Sequence, residues 1–388
     1  MTAPAPGDGS QARVVAAATL VGAAVFSSRL AIANSLLVIA YIAAWIAWRH
    51  GALRGRPWAR ALAWPLVAFA TVSLVSSLFS VNPLISLDAQ PRLLAFLMVP
   101  LSALLIDETW WDRLVAGLAV ATVVLAVWGI IQWFQVTGDR LEHRITGPLA
   151  HYMLYSGWLL LAVLVLLAEV ALRPSWRRLW LLGAALLGVT AIGLSLTRNA
   201  WIGLTVGLLL LAAVWRRRLL FVYPVLAIVI WVAAPRSVLD RAISTFDLRQ
   251  QANYDRLCMV VSGVEMIHDY PWTGVGPDMV PELYPLYRRD DAPRWRVPHL
   301  HNNLVQIAAE RGLPALGIYL WLMTTFFVVT WRGLPGLHGT ARSAVAATFV
   351  AVAGISVAGL FEYNFWQAVV QYLTLVLMGV GVSRVEAA

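Results

Sequence analysis

The chain has no lysine, a single cysteine and little charge, and each scarcity removes a class of protein. Without lysine there is no Gly-x-x-x-x-Gly-Lys phosphate loop, so any phosphate contact must come from planar, permanently charged arginine. Cys258 alone supports neither an intrachain disulfide framework nor a cysteine metal site. Charged residues make up only 13% of the 388 positions. A soluble chain carries about 25%. No nucleophile elbow centred on serine occurs, and no internal repeat is evident.

What fills the space is apolar: 60% of residues, in long runs from end to end. The chain therefore reads as an all-α, polytopic membrane protein. At about 20 apolar residues per crossing, about twelve transmembrane helices are expected. They fall near residues 14–28, 30–48, 61–80, 93–107, 114–136, 151–172, 178–196, 200–215, 219–234, 313–331, 343–361 and 365–383. The polar start, MTAPAPGDGSQAR, reads as a disordered tail rather than a cleaved signal. Alternate short loops carry Arg49, Arg54, Arg56 and Arg60, then Arg173, Arg177 and Arg178, then Arg216, Arg217 and Arg218, then Arg332 and Arg342. The positive-inside rule puts these loops and both termini in the cytoplasm.

One outward loop, about 235–312, breaks the pattern by being rich in arginine. Long loops escape the orientation rule. The surplus is either solvated charge or a site for an anion such as phosphate at the outer membrane boundary. Within the loop, Leu257, Val260, Val261 and Val264 share one helical face, and Pro271, Gly274, Gly276 and Pro277 end that helix. Too short and polar to span, it is expected to lie as an amphipathic helix in the outer interface.

Three basic groups reach the same outward face. Arg198 lies between two spans, Arg256 on the interfacial helix, and His301 just before the tenth span. Arg198 either snorkels or meets a ligand. Arg256 either pairs with Asp255 or Glu265 or meets a ligand. His301 is either a satisfied boundary residue or a functional one. The stretch HNNLVQIAAERG reads as a helix with Asn302 or Asn303 as N-cap and Gly312 as its stop. His301 would then stand at the positive end of a helix dipole, which favours a neutral imidazole able to accept a proton and attracts phosphate. Asp290 and Asp291 are flanked by arginines and read as solvated charge. His299 and His301 are two apart without a third ligand at helical spacing, so no metal is expected.

Three stretches resemble the O-antigen ligase and polymerase family of bacterial envelope glycosyltransferases, and the ligase most. SLTRNAWIGL is similar to the family's arginine motif before a span. DRLCMVVSGVEMIHDYPWTGVGPDM is similar to its external-loop arginine followed by a Pro-x-x-Gly-x-Gly-Pro turn. HNNLVQIAAERGLPALGIYLWL is similar to its His-Asn start and Glu-x-Gly end, although Ala315 stands where a second glycine is usual. The resemblance implies a single transmembrane glycosyltransferase domain over 1–388, with 235–312 as a periplasmic catalytic loop between spans nine and ten. It implies metal-independent, inverting transfer on the periplasmic face of the inner membrane, from a glycan on undecaprenyl diphosphate to a sugar hydroxyl of lipid A-core. Carried onto this chain, Arg198 and Arg256 would bind the diphosphate and His301 would be the general base. Arg288, Arg289 and Arg296 would steer substrates, and His299, Asn302 and His151 would help to bind them. Neither a cofactor nor a nucleic acid partner is expected. An O-antigen polymerase, using a lipid-linked repeat unit as acceptor, is the alternative. A secondary transporter or lipid flippase is disfavoured, because transporters place polar groups near the midplane.

Overall fold

The computed structural model describes residues 6–136, 143–216, 236–247 and 249–388, with the isolated positions 218 and 232. Among the described residues there is no strand. Ten helices among the described residues are long and apolar enough to cross a membrane, and Leu179–Leu194 is a shorter apolar one. The crossing expected at 219–234 lies outside the described residues.

The helices are α1 (Pro6–Val25), α2 (Leu30–Arg49), α3 (Arg60–Leu78), α4 (Pro83–Asp88), α5 (Met98–Leu105), α6 (Glu108–Gln135), α7 (Tyr152–Leu172), α8 (Leu179–Leu194) and α9 (Arg198–Trp215). After them come α10 (Arg236–Ile243), α11 (Gln251–Asp269), α12 (Val280–Tyr287), α13 (Asn303–Gly333), α14 (Gly339–Ala358) and α15 (Ala368–Glu386). A helix apolar all round belongs inside a bundle. The sequence of α7 has that character, and every side chain from Leu159 to Leu166 is fully buried. With α14 and α15 it forms the inner layer: 78%, 78% and 72% of their spanning windows are buried, against 33% for α2. The outer helices turn Val38, Ile42, Trp45 and Trp48 of α2 and Val120, Val124 and Ile131 of α6 away from protein. Close packing uses small residues. A Cβ on Gly203 of α9 would come within 2.5 Å of the Gly354 carbonyl of α14.

Three local expectations change. The polar stretch 6–13 is helical, because it forms the first turns of α1, and Arg13 reaches Asp107 at 3.2 Å. The disordered tail expected over 1–13 is therefore corrected from Pro6 onward. The fourth crossing, expected at 93–107, is a broken rod over Pro83–Leu105: α4, a 3-10 segment Gln90–Leu97, then α5. Pro91 opens the 3-10 segment, and proline removes a backbone donor and disfavours a continuous α-helix. The tenth crossing begins ten residues before the expected 313, as Asn303–Gly333 is one helix interrupted at Gly312.

The loops rich in arginine gather at one end of the bundle. There Arg56 meets Asp107, Ala61 N–H donates to Glu386 Oε1, and Arg384 donates to the Ile106 carbonyl. Leu172, Val214, Leu334, Leu337 and Val385 close the same end. The segment from α10 to α13 and the short connection between α14 and α15 lie at the opposite end.

Candidate functional site

At that opposite end two of the sequence motifs form one unit. The turn Pro271–Pro277 lies backbone against backbone on the interruption of α13. Val275 N–H donates to Ala309 O at 2.8 Å, Gly276 N–H to Glu310 O at 2.9 Å, and Leu313 N–H to Pro271 O at 2.8 Å. The contact requires glycine. Gly274 has φ +68° and Gly312 φ +79°, and a Cβ on either would lie 2.3 Å from backbone atoms of the other strand of the lock. The Glu310–Arg311 pair, 2.6 Å apart and fully buried, is the bolt behind it. Glu310 also accepts from Asp278 N–H and Gln306 Nε2, and Arg311 donates to Ser73 and packs over Trp366. These residues hold the loop on the bundle, with Nη2 the one nitrogen of the Arg311 guanidinium without a hydrogen-bond partner.

The lock fixes where α13 begins. Asn302 is its N-cap, accepting from Leu304 N–H at 2.9 Å and Val305 N–H at 3.1 Å, which satisfies the first-turn donors. Asn303 faces the α14–α15 connection: Nδ2 donates to Asn364 Oδ1, and Oδ1 accepts from the N–H groups of Asn364 and Phe365. That connection carries Glu362, the residue that the sequence reading missed. Its carboxylate takes His301 Nδ1 at 2.8 Å on one oxygen and His299 Nε2 at 3.4 Å on the other. The two imidazoles meet edge to face, centroids 4.3 Å apart.

His301 adopts φ +51°, a left-handed conformation rare for a residue with a Cβ and costing about 1–3 kcal/mol. The capping of Asn302 and the bond to Glu362 hold it there. Burial acts to raise the Glu362 carboxyl, but the hydrogen bond and nearby charge of His301 bring it below its usual range. His299 moves the other way. Burial lowers its pKa to about 4, so it sits as neutral imidazole.

His299, His301 and Glu362 line a cavity of about 390 Å³. Four guanidinium groups share its wall, from Arg144, Arg241, Arg256 and Arg294, against two carboxylates, Asp255 and Glu362. Both carboxylates are engaged: Asp255 pairs with Arg294 at 3.0 Å and Glu362 with the histidines. Among the described residues no carboxylate pairs with Arg256 or Arg241. Arg241 is buried, its Nε has no partner, and burial together with Arg198, Arg144 and Arg256 lowers its pKa to about 10. Arg256 also lines a second cavity of about 320 Å³ with Arg198, Ile202 and Phe361. Arg198 is 5% exposed, too buried to snorkel. Its guanidinium is aimed by the Ser244 carbonyl at 2.8 Å and by Asn253 Oδ1.

The expected arginines and histidine thus converge, and of the two carboxylates weighed as alternative partners for Arg256, Asp255 pairs with Arg294 instead. His151 caps α7, accepting from Met153 N–H at 3.3 Å, and its ring lines the main cavity. Arg288, Arg289 and Arg296 stand apart from that wall. Arg288 stacks on Trp295, Arg289 pairs with Asp291 at 3.0 Å, and Arg296 is exposed. The loop arginine on the wall is Arg294. On α11 the expected apolar face is the one not covered by protein, with Leu257 and Val264 exposed. The protein-facing side is Asp255, Cys258, Met259, Ser262 and Met266.

The sequence did not foresee a third donor beside the histidine pair. Glu362 completes a group whose ligand atoms all lie within 4.8 Å of one another. Two histidines and a carboxylate suit a divalent transition metal. The same groups also meet directly: His301 Nδ1 hydrogen-bonds one carboxylate oxygen at 2.8 Å and His299 Nε2 lies 3.4 Å from the other, while His299 Nδ1 has no partner.

The fold defines a polytopic helical membrane protein, with a carboxylate–histidine dyad beside a cationic cavity at one end. Residues 183–320 match the family model described as O-antigen ligase, and they span α9, the loop motifs and His301. The match covers less than half of the chain; that stretch is similar to the O-antigen ligase family and supports a function of the ligase or polymerase type in general. No curated protein matches the chain.

Proposed function

We propose that this protein is an O-antigen ligase acting on the periplasmic face of the inner membrane, with residues 235–312 as the catalytic loop of a single domain over 1–388. Its donor is a glycan on undecaprenyl diphosphate and its acceptor a sugar hydroxyl of lipid A-core. The observation that carries this reading is the placement of His301, held by Glu362, on the same cavity wall as Arg256 and Arg241.

In this reading His301 donates Nδ1–H to Glu362, which leaves Nε2 as the proton acceptor. The acceptor hydroxyl attacks the anomeric carbon while its proton passes to Nε2. The bond from that carbon to the diphosphate oxygen breaks, so the centre inverts and undecaprenyl diphosphate leaves. Glu362 stabilises the imidazolium. A positioned base contributes about 10²–10⁴-fold. The growing negative charge on the leaving diphosphate meets Arg198, Arg241 and Arg256, whose planar donors suit phosphate oxygens. Arg256 stands between the polar cavity and the one walled by Ile202 and Phe361, which supports a diphosphate whose polyprenyl tail lies over apolar residues. The arginines supply the charge that a metal would otherwise supply, so the reaction is metal-independent.

The test is transfer from lipid-linked donor to purified lipid A-core. His301→Ala should fold as wild type by thermal stability yet lose transfer by about 10²-fold or more. Near wild-type turnover would remove His301 as the base. The lipopolysaccharide pattern of a deletion strain tests the acceptor. Bare core with retained lipid-linked polymer supports a ligase; core capped with one repeat unit would make the chain a polymerase.

A further inference from the structure

His299, His301 and Glu362 come from two segments of chain that the fold clamps together. Asn303 N–H donates to Gly359 O at 2.7 Å, and Asn302 Nδ2 donates to Leu360 O at 2.9 Å. Asn303 also grips Asn364 twice, donating from Nδ2 to Asn364 Oδ1 and accepting Asn364 N–H on Oδ1. The two segments are therefore fixed to each other before any ligand arrives, so a ligand shared between them meets little ordering cost. One ligand atom from each of the three residues lies within 4.8 Å of the others. His301 Nδ1 and His299 Nε2 stand 2.8 and 3.4 Å from the two carboxylate oxygens. Ligand atoms on a tetrahedral ion stand about 3.3–3.5 Å apart, so side-chain shifts of about 1 Å admit one. All three residues line the cavity of about 390 Å³, which leaves space for a further ligand.

We propose that this trio is a reversible, inhibitory site for a divalent transition metal ion such as zinc. Two imidazoles and one carboxylate select zinc over magnesium, which demands octahedral oxygen ligands and keeps its waters. The cationic wall sets the occupancy. Arg144, Arg241, Arg256 and Arg294 oppose a resident cation and draw an anion toward the open coordination position. A site so balanced fills and empties with the free zinc concentration instead of holding a permanent ion. The ion takes His301 Nδ1 in place of the proton there, and the ring's one proton then rests on Nε2. Glu362 changes from hydrogen-bond acceptor to ligand. Nε2 can no longer receive the proton of the attacking hydroxyl, so transfer stops. That inhibition rests on the glycosyl-transfer reading above; the site itself does not.

The experiment reads zinc binding and zinc inhibition separately on the purified chain. Equilibrium dialysis against zinc should give one ion per chain, and cobalt in its place should show the visible bands of a four-coordinate ion. His299→Ala and Glu362→Gln each remove a ligand and should weaken zinc at least about tenfold, since losing even an outer partner of a ligand costs about 10–100-fold. His268→Ala removes an exposed histidine beside Asp269 and should leave zinc affinity unchanged. In the transfer assay zinc should inhibit the wild type, EDTA should restore it, and magnesium should have no effect. The transfer that remains in His299→Ala should tolerate about ten times more zinc. Thermal stability is read alongside, and either ligand variant carries the test if the other does not fold. Zinc affinity unchanged in both folded ligand variants, or lost in His268→Ala, overturns the site and leaves the transfer reading intact. Zinc bound at the trio with transfer undiminished overturns the inhibition, and His301 as base with it. Zinc bound there by a wild type that performs no transfer supports the site and overturns the functional reading alone.

Discussion

The two ends of the bundle both carry arginines, and they treat them oppositely. At the end with the short loops, Arg173 and Arg178 meet Glu169 and Asp112 at 2.5–3.3 Å, and Trp111 Nε1 completes the buried Glu169 carboxylate at 2.8 Å. Two cations face two anions and every strong partner is protein. At the other end Arg198, Arg241 and Arg256 crowd one another, and the nearest carboxylates already belong to Arg294 and the histidines. Like charges collected in a partly buried site cost stability unless a ligand offsets them. The first arrangement is what structure requires. The second is intelligible as a site for an anion that the protein does not itself supply.

The largest effect should separate the two ends by rate. Arg198→Ala and Arg256→Ala should each lower transfer by about 10²–10³-fold, the usual loss on removing a preorganised donor. Arg241→Ala, at a position the sequence did not flag, should fall in the same range. Lysine should rescue only in part, since it keeps the charge and loses the planar fork. Inorganic diphosphate should raise the melting temperature of the wild type and raise it less in each alanine variant. Alanine variants that bind and transfer like wild type would erase the contrast and leave Arg294 as the next candidate.

The converse change tests the paired end. Glu169→Leu leaves Arg173, Arg178 and Trp111 short of a buried acceptor, and breaking such a pair costs about 3–5 kcal/mol. The melting temperature should drop while turnover per folded molecule holds. A selective loss of turnover would mean that this end, too, takes part in the reaction.

How much of this contrast was legible in the sequence depends on distance along the chain. Hydropathy alone carries the helices, because a crossing is a continuous local run. Arg198, Arg256 and His301 stand out for the same reason, as polar residues beside apolar runs. Glu362 did not, although it too is a lone carboxylate in GLFEYNFW between two spans. Its meaning depends on a partner 61 residues away. Arg241 and Arg294 were hidden among nine arginines of one loop, where composition cannot tell a wall residue from a solvated one. The co-occurrence of the glycine turn and the Glu-Arg-Gly stretch was visible, but that they form one backbone lock required the fold. The side-chain period of α11 did mark an apolar face; what periodicity could not say is that protein covers the other one.

A smaller effect concerns acid. His299 has its pKa lowered from 6.5 to about 4 by burial, so the unfolded chain binds more protons than the folded one between those values. The stability that this group contributes is complete above about 6.5 and is lost as pH falls toward about 4. The melting temperature should decline over that window, and His299→Gln should flatten the decline. An unchanged slope in the variant would mean that His299 is not the neutral partner of Glu362.

The smallest expected effect is that of chelation, and it bears on how the unpaired end manages its charge. Two mechanisms could neutralise a leaving diphosphate there: the arginines alone, or a divalent ion on His299, His301 and Glu362, whose donor atoms lie within 4.8 Å of one another. The second would bring a metal to the same nitrogen that His301 uses to hold Glu362, displacing the proton that orients the ring. A ring so engaged no longer has Glu362 to stabilise its imidazolium, and the bound ion would disfavour protonation at Nε2. The base and the metal are therefore competing uses of one dyad. On the proposed reading the metal is redundant, because Arg241 and Arg256 stand on the cavity wall and Arg198 shares the adjoining cavity with Arg256. Transfer by the purified chain should accordingly be unchanged by EDTA, and added zinc should slow it by capturing the histidines. Abolition by EDTA, with recovery on adding magnesium or manganese, would reverse the assignment: Glu362 would become a metal ligand, and another group would have to take the proton.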